Sequence, residues 1–276
     1  MTSSALAASV SEIDGADEEW SWQAARPVED DEWTVCATVG RAFVADWERM
    51  AAGYQRAEHG RSDAMASAAF VLDWYGSLPG IVGGRLFTRA RRVPRLGPEA
   101  LAFRRHPAEG RPDGVALLDE RFWCLPDDPA ATDGAATVVD DEQALARVLR
   151  AEVRAHADWF LSCYRPGVKL ARRNLLGAFF DGLDVGVWSG GERGPAGRAA
   201  VLTDAALVLP GGTPEFPSRS TLYVLTDSCG RTHLTRCRIS CCHDYRLDDA
   251  EQGCFTCPRT APLARPHRAA TWEEAE

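Results

Sequence analysis

Stretches of helical period alternate along this chain with stretches that lack it. Phe43, Trp47, Met50 and Tyr54 step by four, three and four, which sets them on one face of a helix. Met65, Ala68, Leu72 and Tyr75 do the same after Ser62-Asp63, an N-cap signal. Pro79-Gly80 is expected to close that helix. From 81 to 139 the period changes. Short apolar segments broken by Pro and Gly (Gly84 to Thr88, Gly114 to Leu118, Arg121 to Leu125, Ala135 to Val139) predict short strands. Asp140 with Gln143 makes a capping box, opening a helix marked by Leu145, Leu149, Val153, Ala157 and Phe160 and ended by Pro166-Gly167. Leu175, Phe179, Leu183 and Val187 predict the next helix. Gly190 to Gly197 reads as a loop, Ala200 to Leu209 fits helix or strand, Pro210 to Ser220 is turn-rich, and Thr221 to Thr226 predicts a strand.

The aromatic stripes read as core. The expected class is α+β, mostly helical, with a small antiparallel sheet and a C-terminal cysteine-rich segment. The divisions expected are an acidic, flexible tail over 1–33, a mixed region over 34–140, a helical region over 141–237, the cysteine segment over 238–260 and a second tail over 261–276. Trp20, Trp22 and Trp33 suggest that part of the first tail folds back onto the body.

With 276 residues, 45% hydrophobic and 26% charged, the chain has enough apolar surface to build a core without a disulfide or metal staple. No run of 18 apolar residues spans a membrane. The first residues carry no basic start and turn acidic where an apolar signal would continue, so a cytoplasmic location is expected. The net charge is −9, and nine acids against Arg26 put −8 of it within residues 1–32. The rest is near neutral, with no broad basic field for nucleic acid. Lys169 is the single lysine and sits in Gly-Val-Lys-Leu, which excludes a phosphate-binding P-loop. Neither a G-x-S-x-G elbow nor a G-x-G-x-x-G fingerprint occurs.

Cysteine placement changes the picture. Six of the nine cysteines lie in the last 48 residues. Cys241-Cys242 and Cys254-Phe255-Thr256-Cys257 form a C-C-x11-C-x2-C pattern. In a reducing compartment such clustering reads as metal or redox chemistry. Four thiolates suit a tetrahedral thiophilic centre, either zinc or an iron–sulfur cluster. Cys254 and Cys257 are a chelating knuckle, turned by Gly253 and stopped by Pro258. Adjacent side chains such as Cys241 and Cys242 point to opposite faces of a strand, so both reach one centre only if the backbone bends. A [2Fe–2S] centre spreads its ligands over two irons and tolerates such a pair better than a zinc finger does.

This pattern, with Tyr245-Arg246-Leu247 after the vicinal pair, resembles the FhuF-type ferric-siderophore reductases. The likeness covers residues 238–258, with a gap between the pairs one residue longer than the family pattern. It implies that Cys241, Cys242, Cys254 and Cys257 hold a [2Fe–2S] cluster. It further implies an oxidoreductase that reduces the ferric ion of a hydroxamate siderophore in the cytoplasm, drawing electrons from a donor such as a ferredoxin or flavin reductase. One electron suffices, because a hard oxygen cage grips Fe³⁺ strongly and Fe²⁺ weakly. The alternatives are a non-catalytic binding module with a four-cysteine zinc and a plain iron–sulfur electron carrier. Roughly 200 residues ahead of the cysteines are more than a carrier needs, so a substrate groove is expected.

Around the cysteines, Arg231, Arg236, Arg238, Arg246 and Arg259 face Asp244, Asp248, Asp249 and Glu251, a balance of +1 that would offset an anionic cluster. Some of these arginines offer a dock for an acidic donor. His243 and Cys237 are weaker ligand candidates, and Cys229 weaker still. Cys36, Cys124 and Cys163 read as small buried hydrophobes.

Overall fold

A computed structural model describes residues 4–17, 20–25, 32–191, 194–226, 229–247, 254 and 256–259. The chain begins with α1 (Ala5–Asp14), β1 (Ser21–Gln23) and β2 (Trp33–Val35). Two long helices follow, α2 (Arg41–His59) and α3 (Ala64–Ala90). Next come β3 (Val93–Pro94), β4 (Leu101–Arg105), β5 (Pro112–Leu117), β6 (Phe122–Cys124) and β7 (Ala136–Val138). The second half holds α4 (Glu142–Cys163), α5 (Arg172–Gly190), α6 (Pro195–Val208), β8 (Leu222–Thr226) and β9 (Thr232–Arg236). The class is α+β and mostly helical, as the periodicity predicts.

The strands form three small sheets: β1-β5-β4-β2, β3-β6-β7 and the hairpin β8-β9. Most pairs are antiparallel, but β1 runs parallel to β5 and β7 parallel to β6. Trp47, Tyr75, Phe103, Phe160 and Phe179 make the centre of the core, with Tyr75 stacked on Phe160 at 3.8 Å between ring centroids. The apolar cluster runs without a break from Leu6 to Phe216, across the division expected near 140.

Four expectations are corrected. First, α3 does not end at Pro79-Gly80 but continues to Ala90, taking in the Gly84 to Thr88 segment expected as a strand. An interior proline costs about 3 kcal/mol. Close packing against α5 offsets it. Gly76, Gly80 and Gly84 on α3 meet Ala178, Gly182 and Gly186 on α5 in step, so the two helices run parallel. A Cβ on Gly84 would stand 2.6 Å from the Val187 nitrogen, and one on Gly182 would stand 2.6 Å from the Ser77 Cα. These glycines admit a neighbouring backbone; they are not stop signals.

Second, residues within the expected N-terminal tail form α1, whose Leu6, Val10 and Ile13 are buried in the core. Arg92 bonds the Ala5 carbonyl at 2.6 Å and Ser9 Oγ at 2.9 Å while pairing with Asp128 at 2.7 Å. Trp22 is buried too, and its indole N–H bonds Asp17 at 2.7 Å. Asp14 accepts the Trp22 backbone N–H at 2.7 Å, and Asp17 also pairs with Arg85 on α3. Third, the α4 N-cap is Asp141, one residue after the predicted Asp140, accepting the Ala144 N–H at 2.7 Å. Fourth, α6 begins at Pro195, inside the expected loop, because Pro is favoured in the first turn. The predicted Asp63 N-cap holds, accepting the Met65 and Ala66 N–H groups at 2.9 and 3.0 Å. The buried face of α2 runs through Val44, Trp47, Ala51 and Gln55, turned slightly from the predicted aromatic stripe.

Candidate functional site

The cysteine segment is seated on one face of α5. Asn174, Gly177, Asp181 and Asp184 recur at helical spacing, and each receives the returning chain. Asp184 takes Ser220 Oγ at 2.5 Å and the Thr221 N–H at 3.0 Å. Asp181 accepts the Ile239 and Ser240 N–H groups, both at 2.8 Å, and the Ser240 hydroxyl at 2.5 Å. Gly177 lets this strand of chain lie close, since a Cβ there would stand 3.1 Å from Ile239 Cγ2. Asn174 accepts the Cys241 N–H at 3.3 Å and donates to the Cys241 carbonyl at 3.1 Å. The opposite stripe of small residues on α5 packs on α3. One helix therefore sets both the core contact and the cysteine backbone.

Arg238 lies beneath the cysteines and is 8% exposed. Its guanidinium pairs with Asp73 on α3, bonds Ser240 Oγ at 3.0 Å and stands 3.8 Å from Asp181. Its backbone N–H bonds the Thr256 carbonyl at 3.0 Å, tying the second cysteine pair to the first. Burial alone would lower the Arg238 pKa, but Asp73, Asp181 and the Cys242 and Cys254 sulfurs hold its charge and raise it. Arg236 donates to the Asp181 carbonyl at 2.7 Å.

Cys242 and Cys254, eleven residues apart in the gap, come to 3.6 Å between sulfurs and share a hydrogen bond. That bond pulls the Cys242 pKa down to about 7, against burial and with help from Arg238. Cys254 is pushed up by the same bond and by burial, so it keeps the shared proton. The backbone turns just after the vicinal pair: His243 is left-handed at φ 60°, and a 3₁₀ turn follows over Asp244–Arg246. Cys257 is buried, its N–H bonds the Cys254 carbonyl at 3.0 Å, and its sulfur accepts the Arg259 N–H at 3.4 Å. Cys241 is half-buried, and burial raises its pKa.

The geometry can be tested against a thiolate-held metal. Sulfurs about 2.3 Å from a tetrahedral metal lie about 3.8 Å apart. The Cys242–Cys254 pair nearly meets that spacing. Among the described residues no group of three or more His, Cys, Asp or Glu side chains converges to hold a metal ion. The donor chemistry and one edge of the polyhedron fit, and Cys241 and Cys257 flank that edge. Gathering the remaining ligands is the ordinary consequence of binding.

The other sequence candidates fall elsewhere or beside the site. Cys36 and Cys124 are fully buried in the core, and Cys163 packs at the end of α4. His243 Nε2 lies 3.3 Å from Asn174 Nδ2. Arg246 bonds Asp63 at 2.9 Å, and Arg259 stacks on Tyr245 at 4.0 Å, so the Tyr-Arg pair secures the loop. The predicted Gly253 turn and the acids Asp248, Asp249 and Glu251 lie outside the described residues. Asn174, Asp181 and Asp73 were not legible as site residues. Asn174 and Asp181 gave one faint signal, polar residues seven apart on α5, and Asp73 on α3 gave none.

No protein-family model matches the chain, and no curated protein is significantly similar to it. No helix among the described residues is long and apolar enough to cross a membrane.

Proposed function

We propose that the chain is a [2Fe–2S] ferric-siderophore reductase whose ligands are Cys241, Cys242, Cys254 and Cys257. The observation that supports this most directly is the 3.6 Å approach of Cys242 to Cys254 beside the buried Arg238. One cysteine from each pair, with eleven residues between them, comes near metal-ligand spacing, and a buried cation lies beneath them. When bound, a [2Fe–2S] centre supplies a one-electron donor whose potential depends on charge and hydrogen bonds at its sulfurs. Arg238 offsets thiolate charge from below, and the Arg259 N–H donates to the Cys257 sulfur. Asn174 and Asp181 hold the first cysteine pair so that its orientation costs little on ligation. The reaction is one-electron reduction of substrate iron, after which the oxygen cage holds Fe²⁺ weakly. The resemblance in the cysteine segment supports a hydroxamate siderophore as substrate and a ferredoxin or flavin reductase as donor.

The test is metal and sulfide analysis of anaerobically purified protein, with EPR after dithionite reduction. About two irons and two sulfides per chain and a bleachable red-brown colour are expected. One tightly held zinc with neither iron nor sulfide would favour the structural-zinc reading and overturn this one.

A further inference from the structure

The 3.6 Å approach of Cys242 to Cys254 has a second chemical consequence, which needs no metal. A disulfide bond is about 2.05 Å long, so these sulfurs are joined once they close by about 1.5 Å. Among the described residues they are the two thiols that share a hydrogen bond. The neighbouring sulfurs turn to other partners. That of Cys241 takes the His243 backbone N–H, and that of Cys257 takes the Arg259 N–H at 3.4 Å. Cys237 directs its thiol to the Arg238 carbonyl at 3.9 Å. Cys36 and Cys124 are fully buried in the core.

The surroundings of the pair bear on its chemistry. Protein hydrogen bonds hold the two cysteine segments together: the Arg238 N–H bonds the Thr256 carbonyl, and Asp181 and Asn174 fix Ser240 and Cys241. Cys242 is buried but Cys254 is partly exposed, so a small oxidant reaches the pair from the Cys254 side. The guanidinium of Arg238 interacts with both sulfurs from below. A cation beside a partly exposed sulfur is the setting in which cysteines react with oxidants.

We propose that Cys242 and Cys254 form a peroxide-sensing pair in the cluster-free chain, closing a reversible disulfide that keeps iron and sulfide out until a dithiol reopens it. The exclusion of the cluster rests on the reductase reading above; the disulfide does not. One sulfur displaces hydroxide from hydrogen peroxide, so an S–O bond forms as the O–O bond breaks. The second sulfur displaces hydroxide from that sulfenic acid, so the S–S bond forms as the S–O bond breaks. The two thiol protons leave with the two hydroxides as water. Two thiols and one peroxide thus give one disulfide and two waters, and a dithiol reverses the bond by becoming a disulfide itself. The bond takes one proposed ligand from each cysteine pair. It also spares both sulfurs from irreversible oxidation to the sulfinic acid.

The test treats the whole chain, freed of metal by a chelator under reducing conditions and then of reductant, with an equimolar amount of hydrogen peroxide. Free thiols are alkylated, and the peptides are mapped by mass spectrometry. Nine free thiols should fall to seven, with a cross-link between Cys242 and Cys254. Cys254→Ser should lose the cross-link, and Cys257→Ser should keep it. The oxidised chain should then take up at most about a tenth of the iron and sulfide that the reduced chain takes up, and dithiothreitol should restore the rest. A cross-link within either pair (Cys241 to Cys242, or Cys254 to Cys257), over-oxidation without a cross-link, or undiminished uptake by the oxidised chain would overturn the proposal. Uptake of neither iron nor sulfide by the reduced chain removes the reductase reading instead, and the cross-link, read by mass, still decides the chemistry of the pair.

Discussion

Asn174 grips Cys241 at both ends of its backbone, accepting its N–H at 3.3 Å and donating to its carbonyl at 3.1 Å. No other residue type of that size offers a donor and an acceptor side by side in one plane. Asn174→Leu removes both bonds and leaves two backbone groups to find water. The expected cost is about 2 kcal/mol of folding stability, read by urea unfolding. On the reductase reading, a chelator should also strip iron from this variant faster than from the parent. Asn174→Leu with unchanged stripping would mean that Cys241 is held by something else.

Asp181 is 1% exposed and serves two N–H groups, one hydroxyl and the nearby Arg238. Asp181→Ala leaves the buried Arg238 and the half-buried Arg236 with less counter-charge. Breaking such a buried set costs about 3–5 kcal/mol. Asp181→Asn keeps the shape and should cost less. Thermal melts of the two variants would rank them, and equal melts would contradict the arrangement.

Glycine position decides the sign of a glycine-to-alanine change. Alanine is favoured over glycine in a helix by about 1 kcal/mol. At Gly53 on α2 the nearest atom to a new Cβ is 4.0 Å away, so Gly53→Ala should stabilise. At Gly80 or Gly186 the new Cβ would overlap the backbone of the partner helix, so overpacking of about 1–3 kcal/mol or more should prevail. Denaturation midpoints should therefore move in opposite directions.

His156 is fully buried between two partners. Its Nδ1 faces the Leu96 carbonyl at 2.5 Å, and its Nε2 faces the Tyr75 hydroxyl at 2.8 Å. The carbonyl only accepts, so Nδ1 carries the proton and the Tyr75 O–H donates to Nε2. Burial pushes the pKa down to about 4, against the pull of Leu96 and Glu99. The unfolded chain takes up a proton near pH 6.5, the folded one only near pH 4. Stability is thus complete above about 6.5 and falls as pH drops toward 4, by up to about 3 kcal/mol. Unfolding free energies from pH 7 to 4.5 should show this slope, and His156→Phe should flatten it.

On the reductase reading, Cys254→Ser should abolish the visible absorption of the cluster. Cys36→Ser, in the core beside Tyr75, should leave the spectrum intact and alter only stability. Equal loss of iron in both variants would contradict the ligand assignment.

The amphipathic helices were legible because each shows one face to water. Leu145, Leu149, Val153, Ala157 and Phe160 are all buried on α4, as their spacing predicts. The second half of α3 was not legible, because it is buried almost all round and carries glycine on the face toward α5. Burial on every side erases the period, and glycine used for close approach looks like glycine used for a turn. The cysteines announced themselves by composition and spacing. Their supports did not, because Asn174, Asp181 and Asp73 lie more than fifty residues from the chain they hold, and such pairing leaves little local trace beyond the spacing of Asn174 and Asp181 on α5.

The α3–α5 contact has one more consequence. Where Gly80 and Gly84 meet Gly182 and Gly186, backbone lies against backbone, and little side chain is left there to repack and absorb a displacement. Asp73 rides on one helix and Asp181 on the other, and the guanidinium of Arg238 spans them. The pair acts as a caliper: any sliding or opening along its length alters the gap that Arg238 gauges. On the reductase reading, a bulky residue forced in at Gly190, at the far end of α5, should therefore register in the spectrum of a cluster it never touches.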